Sequence, residues 1–239
     1  EFYDRHGVPA EFVGHPLLDD LDPRFLDLQK IDQRRQRYGW TPSDVLLGLM
    51  PGSRQSELKM NLVLQLQVAQ QLHQQFPSLR FAILLASTIQ KDFLQSLIDQ
   101  SFPGGTLSFP YVIMQDKSLE MISLMDLLLV ASGTATLQVG LLQKPMVIMY
   151  RLKRLTWWVA QVLARHVRFI GLPNLILNEP VVPELKQAQV PDMVKELRRF
   201  LEDESYRRVT QQKLGELAGK LGNSGVTARV AQALEAYLT

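Results

Sequence analysis

The 239-residue chain has no cysteine. A disulfide framework, a thiolate zinc site and a cysteine nucleophile are therefore excluded, and the composition is compatible with a reducing compartment. A charge excess is missing as well, since 26 Lys and Arg stand against 24 Asp and Glu for a net charge of +2. A protein that coats nucleic acid needs a broad basic field, so nucleic acid is not expected as a partner and any anion site must be local. No apolar run is long enough to span a bilayer, and no signal-peptide pattern opens the sequence. Several catalytic signatures are also absent: a Gly-x-Ser-x-Gly elbow, an HExxH helix, a His pair at metal spacing and a Gly-x-Gly-x-x-Gly turn. The first residue is Glu1 rather than Met, which reads as a processed product or part of a longer protein.

What is present is an alternation of two hydrophobic periods. Residues 1–22 hold one strand-like piece at 10–13, then Gly14-His15-Pro16 and the acidic turn Asp19-Asp20-Leu21-Asp22-Pro23, which reads as a hinge. Asp20 and Asp22 fit a solvated turn better than a metal pair. A weak amphipathic helix over 25–38 ends at Gly39. Strands are then predicted at 45–50, 79–86, 106–109, 111–114, 126–130 and 146–150. Helices are predicted at 57–76, at 93–98, after a capping Ser118, and from the turn after 130 to about 143. Continuous apolar strands alternating with helices imply an α/β fold: a Rossmann-like parallel sheet with helices on both faces. Residues 171–183 read as a Pro- and Asn-rich loop, and the remainder from 192 as helical with a break at Gly222-Asn223-Ser224-Gly225.

Right-handed crossovers place every βα turn on one edge of such a sheet, where ligands bind. Two of these turns suit an anion. In Pro51-Gly52-Ser53-Arg54, glycine allows close backbone approach, Ser53 sits where an N-cap belongs, and Arg54 offers a planar fork matched to phosphate oxygens. No Gly-Lys-Ser/Thr follows, so it is not a P-loop. In Ser132-Gly133-Thr134, Ser132 or Thr134 is placed to cap the next helix, whose first amides and dipole favour an anion. Each turn taken alone is equally an ordinary capped βα connection. Asn174, Glu184 and Gln187 are further polar candidates in a proline-held loop. The segment 151–168 carries cations at both ends and Trp157-Trp158 within, a composition suited either to an anionic lipid surface or to packing on a neighbouring domain or subunit.

The ordered set Phe12-Val13-Gly14-His15-Pro16-Leu17, Met50-Pro51-Gly52-Ser53-Arg54 with Glu57, Ala131-Ser132-Gly133-Thr134-Ala135-Thr136-Leu137, Pro145-Met146-Val147 with Tyr150-Arg151, Leu172-Pro173-Asn174-Leu175-Ile176 and Val182-Pro183-Glu184-Leu185 with Gln187 resembles the lipid-A-disaccharide synthases. The resemblance runs over nearly the whole chain. It implies the C-terminal domain of a GT-B glycosyltransferase fold plus a helical C-terminal tail. It also implies transfer of 2,3-diacylglucosamine from UDP to 2,3-diacylglucosamine 1-phosphate, with no metal and no cofactor. The departing diphosphate would be stabilised by helix dipoles and basic side chains.

On this resemblance residues 1–22 end a missing N-terminal domain and form the hinge, 23–190 bind the UDP-sugar, and 191–239 form a tail packing back toward that N-terminal domain. The nucleotide-sugar site would comprise Gly52, Ser53, Arg54, Ser132, Gly133, Thr134, Gln138, Arg151, Lys153, Asn174, Glu184 and Gln187. The catalytic base would lie outside this chain. Arg154, Trp157 and Trp158 would meet a membrane or an interface, placing the enzyme in the cytoplasm, peripheral on the inner face of the cytoplasmic membrane; a homodimer is a further partner. One departure stands out. Gln138 occupies a position where the family usually has glutamate, which opens the alternative of a catalytically inactive UDP-sugar-binding or interaction module.

Overall fold

Apolar segments of strand length, each joined to the next by a helix, leave the chain one economical arrangement, a sheet buried on both faces. In the computed structural model, which describes residues 2–102, 104, 107–115, 118–151 and 168–238, that sheet has six parallel strands. They are β1 (Leu46–Met50), β2 (Arg80–Leu85), β3 (Tyr111–Gln115), β4 (Leu127–Ala131), β5 (Met146–Tyr150) and β6 (Glu184–Lys186). Their spatial order is β3-β2-β1-β4-β5-β6, so winding reverses between β1 and β4. That is the doubly wound order in which a crevice opens at the switch point.

The helices are α1 (Phe2–Arg5), α2 (Leu28–Gln36), α3 (Gln55–Gln75), α4 (Lys91–Ser101), α5 (Ser118–Ser123), α6 (Ala135–Leu141), α7 (Leu172–Leu177), α8 (Val190–Glu202), α9 (Glu204–Gly215), α10 (Leu217–Lys220) and α11 (Val226–Leu238). The chain divides into two units, residues 1–22 with 218–239 and residues 23–217. The sheet and helices α2 to α9 belong to the second.

Alternate strand residues feed two cores. Leu47, Leu49, Phe81, Ile83, Leu127, Leu129, Val147 and Met149 share one core with α3 and α8. Helix α3 repeats apolar residues at helical spacing, and its Leu58, Leu62, Leu66 and Leu72 are fully buried. Each such leucine contributes ~1.5–3 kcal/mol. The helix stops at Phe76 because Pro77 disfavours a helical residue before it. On the opposite face Leu46, Ala82, Leu128, Val130 and Ile148 are equally buried, and Gly48 is needed there because a Cβ would meet Met125, Leu128 and Leu84 side chains.

A buried charge cluster fixes the start of the switch point. Arg35 on α2, 6% exposed, donates to the Leu124 carbonyl and, at 2.8 Å, to Asp126. The other Asp126 oxygen accepts the Leu46 amide at 2.9 Å, tying the beginning of β4 to the beginning of β1. Lys144, just before β5, shares this region, and burial pushes its ammonium down to about 8; Asp126 opposes that shift and Arg35 adds to it.

In the smaller unit, the carboxylate of Asp19 accepts the amides of Gly225, Val226 and Thr227 and the Thr227 hydroxyl at the start of α11. The Thr227 amide and hydroxyl are the main reasons its carboxyl is held down at about 2. The guanidinium of Arg229 donates to the carbonyls of Val13, Asn223 and Ser224.

Several expectations are corrected. Residues 10–13 form no strand; the Val13 carbonyl goes to Arg229 instead of a ladder. Residues 107–109 are not a strand either, because Phe109 turns inward to pack on Phe81 with ring centroids 4.8 Å apart, and pairing starts only after Pro110. The segment 171–183 is not wholly a loop, since Pro173 lies in the first turn of α7, where a missing amide costs nothing. The helix read over 25–38 is shorter, a 3-10 turn at Pro23–Phe25 followed by α2, whose N-cap is Asp27.

The Lys144 shift has a pH signature. Between about 8 and 10.5 the unfolded chain holds a proton that the native chain has released, so native stability rises with pH across that window. In urea unfolding at a series of pH values, wild type is expected to gain stability relative to Lys144→Met as pH rises through this window. A constant difference would mean that the native amine keeps its ordinary affinity for protons.

Candidate functional site

The two anion-suited turns follow β1 and β4, the strands on either side of the reversal, and therefore face one crevice. The cleft has a volume of about 470 Å³ and is lined by Gly52, Ser53 and Arg54 on one side and Ser132, Gly133, Thr134 and Gln138 on the other. Ser87 and Ser118 complete its polar rim, and Met50, Leu84 and Met121 form apolar wall. A larger cavity of about 720 Å³ borders α8 and Gln71 but includes none of these turn residues.

The β1–α3 turn is held from several directions. Gly52 has φ +130°, a region favouring glycine, and any Cβ there would collide with the Glu57 side chain. One Glu57 oxygen accepts the Ser53 amide at 2.8 Å and the other accepts from Arg54 Nη1 at 2.9 Å. The Thr88 hydroxyl donates to the Ser53 carbonyl at 2.7 Å. From below, Asn61 Nδ2 donates to the Pro51 carbonyl at 2.9 Å. Fully buried Gln65 brings its Nε2 within 3.3 Å of the Met50 and Leu129 carbonyls and the Met149 sulfur, so one amide spans β1, β4 and β5. Asn61 Oδ1 and Gln65 Oε1 are buried with no protein partner among the described residues.

Ser53 is therefore not the N-cap. Arg54 occupies that position with extended backbone and no side-chain cap bond, and it is Glu57, from inside the helix, that takes the Ser53 amide.

The β4–α6 turn also differs from expectation. Thr134 holds the N-cap position but is itself helical and makes no side-chain cap, and the Ser132 amide bonds to Met149 O at 2.9 Å. The first helical turn is closed instead by the Thr136 amide and hydroxyl, both on the Gly133 carbonyl. Gly133 and Thr134 are exposed, and their amides donate no backbone hydrogen bond among the described residues. A Cβ on Gly133 would meet no atom of the described residues within 4 Å. Ser118 begins α5, and its hydroxyl donates to Gln138 Oε1 at 3.1 Å rather than to its own helix. With that oxygen engaged, the Gln138 amide nitrogen is the atom left as a donor.

Asn174, Glu184, Arg151 and Gln187 do not line this cleft. Asn174 is 1% exposed and makes three internal hydrogen bonds: its Nδ2 donates to Val182 O and Glu184 Oε1, and its Oδ1 accepts the Val182 amide. Glu184 also accepts the amides of Ile170 and Gly171. These two side chains brace the approach to α7. Arg151 donates to Ala188 O at 3.3 Å, and Gln187 holds φ +51° while its amide bonds Tyr150 O. Lys153, Arg154, Trp157 and Trp158 lie outside the described residues. Among the described residues no group of three His, Asp or Glu side chains could hold a metal ion, and no helix is long and apolar enough to cross a membrane.

The braces Asn61, Gln65 and Thr88 escaped the sequence reading. Thr88 carried a usable signal, since Ser87-Thr88 directly follows β2 and so forms a third turn on the same rim. Asn61 and Gln65 merely interrupt an apolar helix face, and nothing local shows which carbonyls they reach.

A sequence profile for lipid-A-disaccharide synthetase matches residues 1–236. The chain is similar to lipid-A-disaccharide synthase of Geobacter sulfurreducens, 35% identical over 96% of this chain and 58% of that protein. To its counterpart in Nitrosococcus oceani it is 32% identical over 99% of this chain and 59% of that protein. The chain thus spans somewhat under two-thirds of the length of these relatives.

Among solved structures it is similar to UDP-GlcNAc 2-epimerase from Neisseria meningitidis bound to UDP-GlcNAc, with a TM-score of 0.63 at 13% identity over 96% of this chain and 57% of that one. It is also similar to the C-terminal domain of a group 1 glycosyl transferase (LpcC) from Francisella tularensis, with a TM-score of 0.59 at 11% identity over 84% of this chain and 97% of that one. These likenesses give the fold, a Rossmann-like domain of the GT-B glycosyltransferases.

Asn174→Ala is expected to destabilise the chain by ~2–4 kcal/mol in urea unfolding, because it leaves the Val182 amide and carbonyl unpaired in the interior. A loss below ~0.5 kcal/mol would show that the α7 brace is not structural.

Proposed function

We propose, given that the chain belongs to the lipid-A-disaccharide synthetase family, that it supplies the UDP-donor half of a glycosyltransferase moving 2,3-diacylglucosamine from UDP to 2,3-diacylglucosamine 1-phosphate. The observation carrying this reading is the pairing of two phosphate-suited turns across the switch point in one cleft. A diphosphate lodged there would meet the exposed amides of Gly133 and Thr134, the hydroxyls of Ser87 and Thr134, and the Arg54 guanidinium. Arg54 is the cation among the described cleft residues, and its planar fork suits two phosphate oxygens at once.

Glycosyl transfer puts growing negative charge on the departing diphosphate. Amide and hydroxyl donors already aimed into the cleft would stabilise that charge with little reorganisation, which lowers the barrier. No group in the cleft is assigned as the base that takes the acceptor's proton; that role would fall to the part of the longer relatives that this chain does not span. The basic, Trp-containing segment around Trp157 and Trp158 would keep the enzyme near the membrane that holds its acylated substrates. Arg151 and Gln187, beside β5 and β6, would extend the site toward the donor sugar.

A second reading, a UDP-sugar-binding module without catalysis, draws on Gln138. Its Oε1 already accepts from Ser118, and it would meet a ligand hydroxyl as a neutral amide and not as a carboxylate.

Calorimetric titration of this chain with UDP is expected to show weak, saturable binding that Arg54→Ala reduces at least tenfold. An assay with diacylated donor and acceptor should show no turnover by this chain alone. Turnover by the chain alone would refute the half-enzyme reading, and unchanged UDP affinity in Arg54→Ala would remove the arginine from the site.

A further inference from the structure

The β1–α3 turn already contains an anion, and it is the protein's own. The Glu57 carboxylate folds back from the first turn of α3 into the space that Gly52 leaves by having no side chain. There its two oxygens do different things. Oε2 accepts the Ser53 amide at 2.8 Å, a short local bond that shapes the turn. Oε1 accepts from Arg54 Nη1 at 2.9 Å, and Arg54 is 77% exposed against 30% for Glu57. An ion pair this open to water is weak and readily exchanged.

We propose that Glu57 is a positioning residue that holds the diphosphate turn in shape through one oxygen while parking Arg54 through the other, so that a phosphate must take Arg54 from Glu57 in order to bind. This rests on the UDP-donor reading of the cleft. The physical logic is charge accounting at the turn. With Arg54 paired, its charge is cancelled by Glu57, so the resting turn offers an incoming dianion no net attraction. A diphosphate carries more charge and more acceptor oxygens than one carboxylate, and it can engage the guanidinium fork with two bonds where Glu57 uses a single nitrogen. Gly52 then serves two ends: its φ of +130° makes the turn, and its missing Cβ makes room for the carboxylate. The Ser53–Glu57 bond need not break when Arg54 leaves, because it uses the other oxygen.

Two substitutions separate the two oxygens. In Glu57→Gln the side-chain carbonyl still accepts the Ser53 amide, while the NH2 that replaces the second oxygen is a donor and gives Arg54 nothing to hold. In Glu57→Ala both contacts go and the turn loses its brace. Calorimetric titration of this chain with UDP is therefore expected to show opposite signs: about fivefold tighter binding for Glu57→Gln and about fivefold weaker for Glu57→Ala. Thermal melting run alongside confirms that both variants are folded. A purely structural glutamate would leave Glu57→Gln near the parent and weaken only Glu57→Ala, and a glutamate that touches the ligand would weaken both. If Glu57→Gln is unchanged or weaker while Arg54→Ala loses affinity, the parking role is overturned and the UDP-donor reading stands. If the parent chain binds no UDP, both are overturned.

Discussion

The reversal of strand order between β1 and β4 governs the rest of the molecule. In a parallel sheet wound one way throughout, consecutive βα turns stand side by side, each covered by its own helix. Where winding reverses, the helices following the two central strands leave toward opposite faces and a crevice remains between their first turns. Here those turns are Pro51 to Arg54 and Ser132 to Thr134, and the crevice is the cleft they both line. The reversal is anchored at both ends of the strands. Below, Asp126 joins the start of β4 to the Leu46 amide of β1, with Arg35 held against it. Above, Gln65 reaches the carbonyl ends of β1 and β4 and the Met149 sulfur of β5.

These anchors share a physical character. Arg35 and Gln65 are polar side chains buried among apolar neighbours, and Asp126 is half-buried beside Arg35; in such places an unpaired group costs far more than a paired one contributes. Such groups specify geometry more sharply than leucine packing does, because a slip of one residue would strand a charge or an amide. That suits their location. A cleft that is to keep donors aimed at a diphosphate, as proposed, needs walls that do not drift.

The same accounting separates residues that build the site from residues that serve it. Asn174 and Glu184 spend their hydrogen-bonding capacity inside the chain, closing the entry to α7. Gly133 and Thr134 do the reverse, leaving their amides without a backbone partner at the mouth of the cleft, and a Cβ on Gly133 would meet no atom of the described residues.

The sequence by itself determined the class of fold and the family. Apolar runs of strand length alternating with helical periods leave a covered parallel sheet as the only way to bury both faces, and the ordered turn motifs carried the kinship that the profile and the relatives then bore out. It also marked the two turns that meet. What it could not carry was the destination of each side chain. Whether Ser53 caps or Glu57 reaches back, whether Asn174 faces a ligand or Val182, and whether Ser118 serves its own helix or Gln138 are questions about partners far apart in the chain, or about which of two nearby acceptors wins. Strand order posed the same kind of question, since periodicity reports which face of an element is apolar and says nothing of its neighbour. Local pattern reflects free energies of burial, which each residue carries with it. Hydrogen-bond partnership is a property of pairs, and only the folded chain brings the pairs together.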